Sequence, residues 1–353
     1  MLAAQFTGKE YFELNQISIP PCPEDGLLVK VEACAICGTD LKIMKRADVK
    51  IESGKQRTMA LPRVTGHEIS GTVVEVGPRA FGFTTGDPIV IAATIPCLQC
   101  ESCRRNYFEM CDNIHIIGYD SDGGFAEYIS VAGQVLQSEC AIRLTQARNL
   151  EKAALSEPLS CAINCYSLTP VEKGNLVVVM GAGPLGCFLL ELARLYGART
   201  TILTDISLNQ LEITKVAGAD YYLDPSSAGF KDEILKISKN RGADLVITAC
   251  PAPEAQKLAL EIVSKRGAIN FFGGLPGNNS IVALDTNLIH YKECTVRGTH
   301  GSTPMQVKEA LRIIESCDID MEKYITHRIP LKNINEALEI ARKGSRLKIL
   351  IKP

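Results

Sequence analysis

Residues 176–186 read LVVVMGAGPLG, and the fold expected for the second half of the chain follows from these residues. The apolar run Leu176–Met180 is typical of a strand that is buried on both faces of a parallel sheet. A helical pattern follows from Pro184 to Tyr196. The glycines between them have the spacing G-x-G-x-x-G, which is weak evidence alone but specific where it joins a buried strand to a helix. The stretch therefore predicts a dinucleotide-binding loop, with a glycine-rich turn that binds nothing as the alternative.

The residues of this loop suit a pyrophosphate at a helix N-terminus. Gly181 permits the tight turn, Gly183 lets the backbone approach the phosphates, and Gly186 allows close packing of helix on strand. Asp205 ends the next predicted strand, Thr200–Thr204, where its carboxylate would accept hydrogen bonds from a ribose and repel a 2′-phosphate. No Arg follows at positions 206 and 207, so the sequence predicts NAD, with NADP as the less favoured alternative.

Strand and helix patterns continue to alternate beyond this loop, as in a doubly wound α/β domain. A helix is predicted from Leu208 to Ala217. Further strands are predicted at Tyr221–Leu223, Asp244–Ala249, Ala268–Phe272 and Glu293–Arg297.

Residues 1–150 have a different sequence pattern, in which short apolar runs are separated by Gly and Pro. This pattern indicates a β-rich domain. These runs are Leu27–Val31, Ile69–Val76, Pro88–Ala92 and Phe125–Val131.

The last part of the chain is too short to form a domain of its own, so we expect it to return to the first one. Thr303 to Gln306 read as an N-cap, a first-turn Pro and a capping box, and Val307, Ala310, Leu311 and Ile314 give that helix an apolar face. A final strand is predicted at Leu347–Ile351. The predicted domains are residues 1–153 together with 299–353, and residues 154–298.

The composition disfavours nucleic acid and membranes as partners. Lys plus Arg number 38 against 40 Asp plus Glu, and Trp is absent, so neither a basic footprint nor a rich stacking platform is present. No signal peptide is visible and no apolar run approaches the roughly 20 residues of a membrane span. We expect a cytoplasmic protein.

Four of the 14 cysteines form the pattern C-x2-C-x2-C-x7-C: Cys97, Cys100, Cys103 and Cys111. Four thiolates give zinc a closed tetrahedral site, so the sequence predicts a structural zinc ion. The alternatives are chance clustering, a redox pair and a nucleic-acid-binding zinc module. Nine further cysteines lie mostly in apolar surroundings and are interpreted as small buried hydrophobes: Cys22, Cys34, Cys140, Cys161, Cys165, Cys187, Cys250, Cys294 and Cys317.

Three further segments carry chemistry-bearing side chains: Cys37 in CGTD, His67 and Glu68 in GHE, and Glu157 in EPL. Each is ordinary alone, since a single His or Cys is more often a packing residue. In this order, together with the four-cysteine loop and the glycine loop, they resemble the zinc-dependent medium-chain dehydrogenases, the superfamily of alcohol, sorbitol and threonine dehydrogenases. The resemblance spans essentially the whole chain and is nearest to the polyol branch.

The resemblance implies an α/β protein with a GroES-like β-rich catalytic domain and a Rossmann doubly wound parallel-sheet cofactor domain. It implies a catalytic zinc ion held by Cys37, His67 and an acidic group, with both Glu68 and Glu157 as ligands or near-ligands. It places Thr39 to receive the substrate proton. Many relatives have His at the position of Lys42, so Lys42 is either a relay group or a solvated surface residue. The residues implied to bind the cofactor are Gly181, Gly183, Pro184, Leu185, Gly186, Asp205, Gly273 and Thr299.

The implied activity is hydride transfer between a secondary alcohol and NAD, through a zinc-bound alkoxide. Glu157 in EPL favours a polyol, whereas the segment Gly298–Ser302 lacks the Arg-Tyr pair of sorbitol dehydrogenases. In that segment His300 is a candidate for substrate or cofactor binding, or a plain loop residue. Threonine and vicinal diols therefore stay open as substrates.

Two other classes of protein are disfavoured. A dinucleotide-binding redox sensor would lack an ordered catalytic site, and a zinc-free quinone reductase would lack both zinc signatures. Relatives are commonly homodimers or homotetramers that pair edge strands of the cofactor domain. The apolar segment Asn279–Thr286 is either part of such an interface or monomer core.

Overall fold

A computed structural model describes residues 1–45, 59–344 and 346–353 of the chain. The chain divides into two compact units, one formed by Met1–Ser160 with Gly301–Pro353 and the other by Cys161–His300. These boundaries lie at 160/161 and 300/301, whereas the sequence places them at 153/154 and 298/299.

The regular elements follow in chain order. The strands are β1 Leu2–Phe6, β2 Phe12–Gln16, β3 Leu27–Ala35, β4 Arg63–Val64, β5 Glu68–Val76, β6 Pro88–Ile91, β7 Thr94–Ile95, β8 His115–Ile116, β9 Tyr128–Val131, β10 Ala141–Arg143, β11 Leu176–Met180, β12 Thr200–Thr204, β13 Tyr221–Leu223, β14 Ala243–Thr248, β15 Val263–Phe271, β16 Thr295–Gly298, β17 Ile325–Pro330 and β18 Lys348–Lys352. The α-helices are α1 Gly38–Lys45, α2 Glu101–Arg104, α3 Gly133–Gln137, α4 Leu150–Ala153, α5 Ser156–Leu168, α6 Pro184–Leu195, α7 Leu208–Ile213, α8 Phe230–Ile237, α9 Pro253–Ile262, α10 Thr286–Lys292, α11 Pro304–Ser316 and α12 Ile334–Lys343. Short 3-10 turns occur at Phe108–Met110, Ala147–Asn149, Thr214–Ala217, Gly277–Asn279, Met321–Tyr324 and Leu331–Asn333.

The first unit is built on a seven-stranded sheet with the order β10-β6-β5-β3-β18-β17, in which β9 also pairs with β3. Its pairs are antiparallel except β17 with β18. The long central strand β3 is almost wholly buried, with Lys30 as its exposed residue. Smaller sheets, β2-β1-β4 and β7-β8, complete the unit. The expectation of a β-rich N-terminal domain is confirmed.

The second unit contains a six-stranded sheet with the order β13-β12-β11-β14-β15-β16, and every pair in it is parallel. Leu176–Met180 forms the central strand β11 and is buried along its whole length, as its unbroken apolar sequence predicts. The strand order runs outward in both directions from β11. This reversal point is where doubly wound sheets bind ligands, beyond the carboxyl ends of the strands.

The C-terminal segment lies in the first unit. Thr303 caps α11, and its capping box with Gln306 is formed, which confirms the sequence prediction. The apolar face of α11 is buried as expected, and β18 pairs with β3, placing Leu350 opposite Ala35.

The structure corrects several details. The helix predicted over 208–217 ends at Ile213 and continues as a 3-10 turn to Ala217, after which Gly218 adopts a left-handed conformation. The segment Asn279–Thr286 forms no strand, and its Ile281 is 95% exposed, whereas its Leu284 packs against the core of the second unit. Monomer core therefore describes only part of this segment. Cys317 is exposed, because it caps the end of α11 rather than packing in the core. Among the described residues, none of the helices combines the length and apolarity that crossing a bilayer demands.

Candidate active site and metal centres

Cys37, His67 and Glu68 come together in the first unit, and one potential ligand atom from each lies within 4.8 Å of the other two. Their positions follow from the pairing of β3 with β5. That ladder sets Ala35 opposite Glu68, so the segment after β3 and the start of β5 converge. Cys37 is half-buried, and His67 and Glu68 are buried.

Asp40, in the first turn of α1, holds this cluster in place and was missed by the sequence analysis. Its Oδ2 accepts a hydrogen bond from the backbone N–H of Cys37 at 2.8 Å, and its Oδ1 lies 3.9 Å from His67 Nδ1. At that distance these two buried atoms form no hydrogen bond, and the influence of Asp40 on His67 is that of its negative charge. The available signal was the Asp that closes the CGTD motif.

Burial and charge act in opposite directions on the titration of the cluster. Burial disfavours the Cys37 thiolate, but the charge of His67 and a hydrogen bond with it lower the pKa of that thiol to about 7. Burial disfavours the His67 imidazolium, but the Cys37 thiolate and Asp40 raise the pKa of His67 well above its ordinary value. Burial raises the pKa of Glu68, the charges of Cys37 and Glu157 add to that shift, and the charge of Lys348 opposes it.

Lys348, from β18, forms a buried ion pair with Glu68. Its Nζ lies 2.7 Å from Oε1 and 2.5 Å from Oε2 of Glu68, and it donates a further hydrogen bond to the carbonyl of Ile36 at 3.0 Å. Both side chains are almost completely buried, so the pair is shielded from solvent. No local motif marks Lys348, because it is 280 positions from its partner.

The remaining predicted residues lie around this cluster. Glu157 is half-buried in the first turn of α5 and stands outside the set that gathers within 4.8 Å, although its charge acts on His67 and Glu68. Thr39 Oγ1 accepts a hydrogen bond from the Cys37 thiol at 3.5 Å. Lys42 is exposed on α1, which agrees with the interpretation as a surface residue.

Cys97, Cys100, Cys103 and Cys111 form the second cluster, and their sulfur atoms all lie within 4.8 Å of one another. The four thiols are unpaired by disulfides, and Cys103 and Cys111 are buried with Ile114 in a small apolar cluster. Hydrogen bonds from the backbone N–H groups of Gln99 and Cys100 lower the pKa of Cys97 to about 6. Sulfur atoms at this spacing suit a tetrahedral zinc ion, whose thiolate ligands are about 3.8 Å apart.

The glycine loop of the second unit has the geometry that its sequence predicts. Gly181 has φ +114, a conformation that L side chains rarely adopt. A Cβ on Gly186 would stand 1.9 Å from the carbonyl oxygen of Gly181, so only glycine allows this contact between helix and turn. A Cβ on Gly183 would meet nothing within 4 Å, so the space beside the N-terminus of α6 is open. Pro184 and Leu185 begin that helix.

The other cofactor candidates also lie in the second unit. Asp205 directly follows β12. Gly273 follows β15, and a Cβ there would approach the Cys250 carbonyl oxygen to 2.7 Å. Thr299 accepts a hydrogen bond from the buried Asn270 side chain at 2.8 Å. His300 is exposed, and its carbonyl accepts a hydrogen bond from Asn164.

Known proteins resemble the chain throughout. Residues 23–139 match the alcohol dehydrogenase GroES-like domain, and residues 184–316 match the zinc-binding dehydrogenase domain. The L-threonine 3-dehydrogenase of Pyrococcus abyssi is 32% identical, over 96% of this chain and 94% of its own. The D-arabitol-phosphate dehydrogenase of Enterococcus avium is 28% identical, over 99% of this chain and 96% of its own. A zinc-binding dehydrogenase from Sinorhizobium meliloti, solved bound to NADP, superposes with a TM-score of 0.89 at 27% identity, covering 100% of this chain and 99% of its own.

Proposed function

The chain belongs to the zinc-type medium-chain dehydrogenase/reductase family, and we propose that it oxidises a secondary alcohol of the polyol class with NAD. The convergence of Cys37, His67 and Glu68 within 4.8 Å is the observation that carries the proposal. A redox sensor that had kept only the fold would have no need to hold three ligand types together.

The residues of this cluster fit a catalytic zinc ion. A thiol, an imidazole and a carboxylate are the ligand types of catalytic zinc sites, which keep one position open for substrate. Cys37 and His67 would hold the ion, together with the carboxylate of Glu68 or Glu157. A zinc ion bound there would supply Lewis-acid chemistry, which would lower the pKa of a substrate hydroxyl and polarise the carbonyl of the product.

Thr39 is the residue that we propose to receive the proton of the substrate hydroxyl. Its hydroxyl is half-buried and lies beside the Cys37 thiol, so it can accept one proton and pass another on. Lys42 lies three positions further along α1 and is exposed, so water can complete the path to solvent.

NAD is the proposed hydride acceptor. The open space at Gly183 and the N-terminus of α6 suit a pyrophosphate, and the Asp205 carboxylate would repel a 2′-phosphate. The relative from Sinorhizobium meliloti was solved with NADP, so both dinucleotides belong in the test.

We also propose that the four-cysteine cluster binds a structural zinc ion and that the chain forms a homo-oligomer. Four thiols leave a metal no open position, so this site would brace the loop 95–113 and take no part in hydride transfer. Strand β16 forms one edge of the parallel sheet and exposes Thr295 and Arg297, and an unpaired edge can add a strand from a second copy. This would give a homodimer or, by a second contact, a homotetramer.

L-Threonine is the second candidate substrate. It is favoured by the Pyrococcus abyssi relative, whereas the Enterococcus avium relative favours a sugar-alcohol derivative. L-Threonine and the sugar-alcohol derivatives each carry a secondary alcohol next to another polar group.

The test is a screen for NAD and NADP reduction with sugar alcohols, inositols, vicinal diols and L-threonine, on protein of measured zinc content. We expect chelator-sensitive reduction of NAD by a polyol. Zinc-replete protein that reduces neither dinucleotide with any of these substrates would refute the proposal. Activity with threonine alone would replace the polyol by the second candidate.

A further inference from the structure

Ala182, the residue between the first two glycines of the dinucleotide loop, has both of its peptide groups held by side chains. Its N–H donates to Asp205 Oδ2 at 2.9 Å, and its carbonyl accepts from Gln210 Nε2 at 2.8 Å. Ala182 is completely buried, whereas Asp205 and Gln210 are half-buried. Neither contact uses a side chain of the glycine motif, so the motif alone does not reveal them.

Two further hydrogen bonds close these contacts into a ring. The N–H of Ser207 donates to Asp205 Oδ1 at 2.9 Å, and the N–H of Gln210 donates to Ser207 Oγ at 3.2 Å. The ring therefore connects the glycine loop, the end of β12 and the start of α7. Gln210 is its only member that reaches the loop from a helix.

We propose that Gln210 is a positioning residue for dinucleotide binding, which acts by holding the Ala182 carbonyl and so keeping the glycine loop in its binding conformation before the cofactor arrives. The inference rests on the proposed use of a dinucleotide. A loop that is already ordered loses less conformational entropy on binding, so its hydrogen bonds appear as affinity for the cofactor. The effect belongs to the binding step, since the hydrogen bonds of Gln210 run to Ala182, Ser207 and Thr214, all within the second unit.

In this ring Asp205 holds the Ala182 N–H, in addition to its proposed contact with the cofactor ribose. Each oxygen of its carboxylate accepts one backbone N–H and keeps a lone pair for a ribose hydroxyl. An Asp205→Ser change, made to admit a 2′-phosphate, would also release Ala182. It should therefore weaken NAD binding without giving tight NADP binding, until the loop is held in another way.

The experiment compares Gln210→Met, which keeps the size but removes the donor, with Gln210→Glu, which places a carboxylate against the Ala182 carbonyl. Leu208→Ala is the matched control, because Leu208 is 70% exposed on the same helix. The readouts are the dissociation constant of NAD by calorimetry, kcat and KM for both substrates, the melting temperature without cofactor, and amide exchange at Ala182.

We expect Gln210→Met to weaken NAD binding and raise its KM about fivefold, as the loss of one hydrogen bond would. Gln210→Glu should lose more, and the control should match the parent. The kcat and the KM for the alcohol should stay unchanged, and the melting temperature without cofactor should fall only slightly, because the buried Ala182 carbonyl loses one donor. Amide exchange at Ala182 should become faster.

Equal affinity for NAD in the parent and both Gln210 variants would overturn this inference alone. So would a loss of kcat and melting temperature in step with affinity, since that would indicate a general structural role. A parent protein that binds neither NAD nor NADP would overturn the proposed function as well.

Discussion

Lys348 Nζ lies within 2.7 Å of both carboxylate oxygens of Glu68, and the pair is almost completely shielded from solvent. The pair joins the last strand of the first unit to the segment that carries His67. A buried pair of this kind adds little net stability, but the loss of one partner leaves an uncompensated charge in the core.

Lys348→Met should therefore lower the free energy of unfolding by about 3–5 kcal/mol, measured by chemical denaturation. The double variant Lys348→Met/Glu68→Gln should recover most of that loss, because no unpaired charge remains. Lys352→Met is the control: Lys352 pairs with Glu32 and Glu151 but is 25% exposed, so its loss should cost less. Equal losses in the single and double variants would contradict the assignment.

Cys37→Ser should remove the catalytic metal while leaving the fold intact. We expect the zinc content to fall from two ions to one per chain, one for each cluster, and the alcohol-dependent reduction of NAD to disappear. The melting temperature should change little, since the four-cysteine cluster is separate. The exposed Cys317→Ser variant should keep both ions, and retention of full zinc by Cys37→Ser would count against the site.

The four-cysteine cluster should show a pH-dependent difference in reactivity once its metal is removed by a chelator. The pKa of Cys97 is lowered to about 6 by backbone hydrogen bonds, so its thiolate persists as the pH falls to that value. Burial and neighbouring thiols raise the pKa of Cys103 to about 12, so it stays protonated at neutral pH. Peptide mapping after brief alkylation should find Cys97 modified at a rate that is flat above about pH 7 and falls below pH 6.

With zinc bound, neither of these thiols should react. An alkylation rate at Cys97 that still climbs between pH 7 and pH 9 would contradict the lowered pKa. Cys97→Ser should reduce folding yield or oligomer assembly before it reduces hydride transfer in the protein that survives.

Gly186→Ala and Gly183→Ala should differ, although both change the same motif. A Cβ at Gly186 would collide with the Gly181 carbonyl, so this variant should lose NAD binding and also stability. A Cβ at Gly183 meets nothing in the protein, so this variant should keep its melting temperature and lose affinity only where the methyl group meets the cofactor. Calorimetry with NAD and a thermal melt of each variant test this, and identical behaviour would contradict it.

The sequence predicted those parts of the structure that depend on local pattern. The strand β11 follows from its unbroken apolar run, and the start of α11 follows from the capping box of Thr303. Both depend only on neighbouring residues, and both are found as predicted. The residues of the Cys37, His67 and Glu68 cluster were equally accessible, because they lie in the short CGTD and GHE motifs, which gain meaning from their order along the chain.

Contacts between distant segments could not be read in the same way. Lys348 reaches Glu68 only because β18 pairs with β3, and that register is a property of the folded sheet. The exposure of Ile281 is another example, since an apolar side chain in a loop looks the same in sequence as one in a core. The hydrogen bond from Gln210 to the Ala182 carbonyl likewise depends on where α7 begins relative to the glycine loop.

The first unit is built from two separate segments of the chain, and this affects the order in which the units can fold during synthesis on the ribosome. Residues 161–300 form a unit of their own and are complete before residues 301–353 have been translated. Nascent chains generally fold unit by unit, so the second unit can fold while the first still lacks β18 and the cation that neutralises Glu68. The cluster of Cys37, His67 and Glu68 near the start of the chain therefore acquires its Lys348 partner only after residues 301–353 have been made, and a chain released earlier would lack that ion pair.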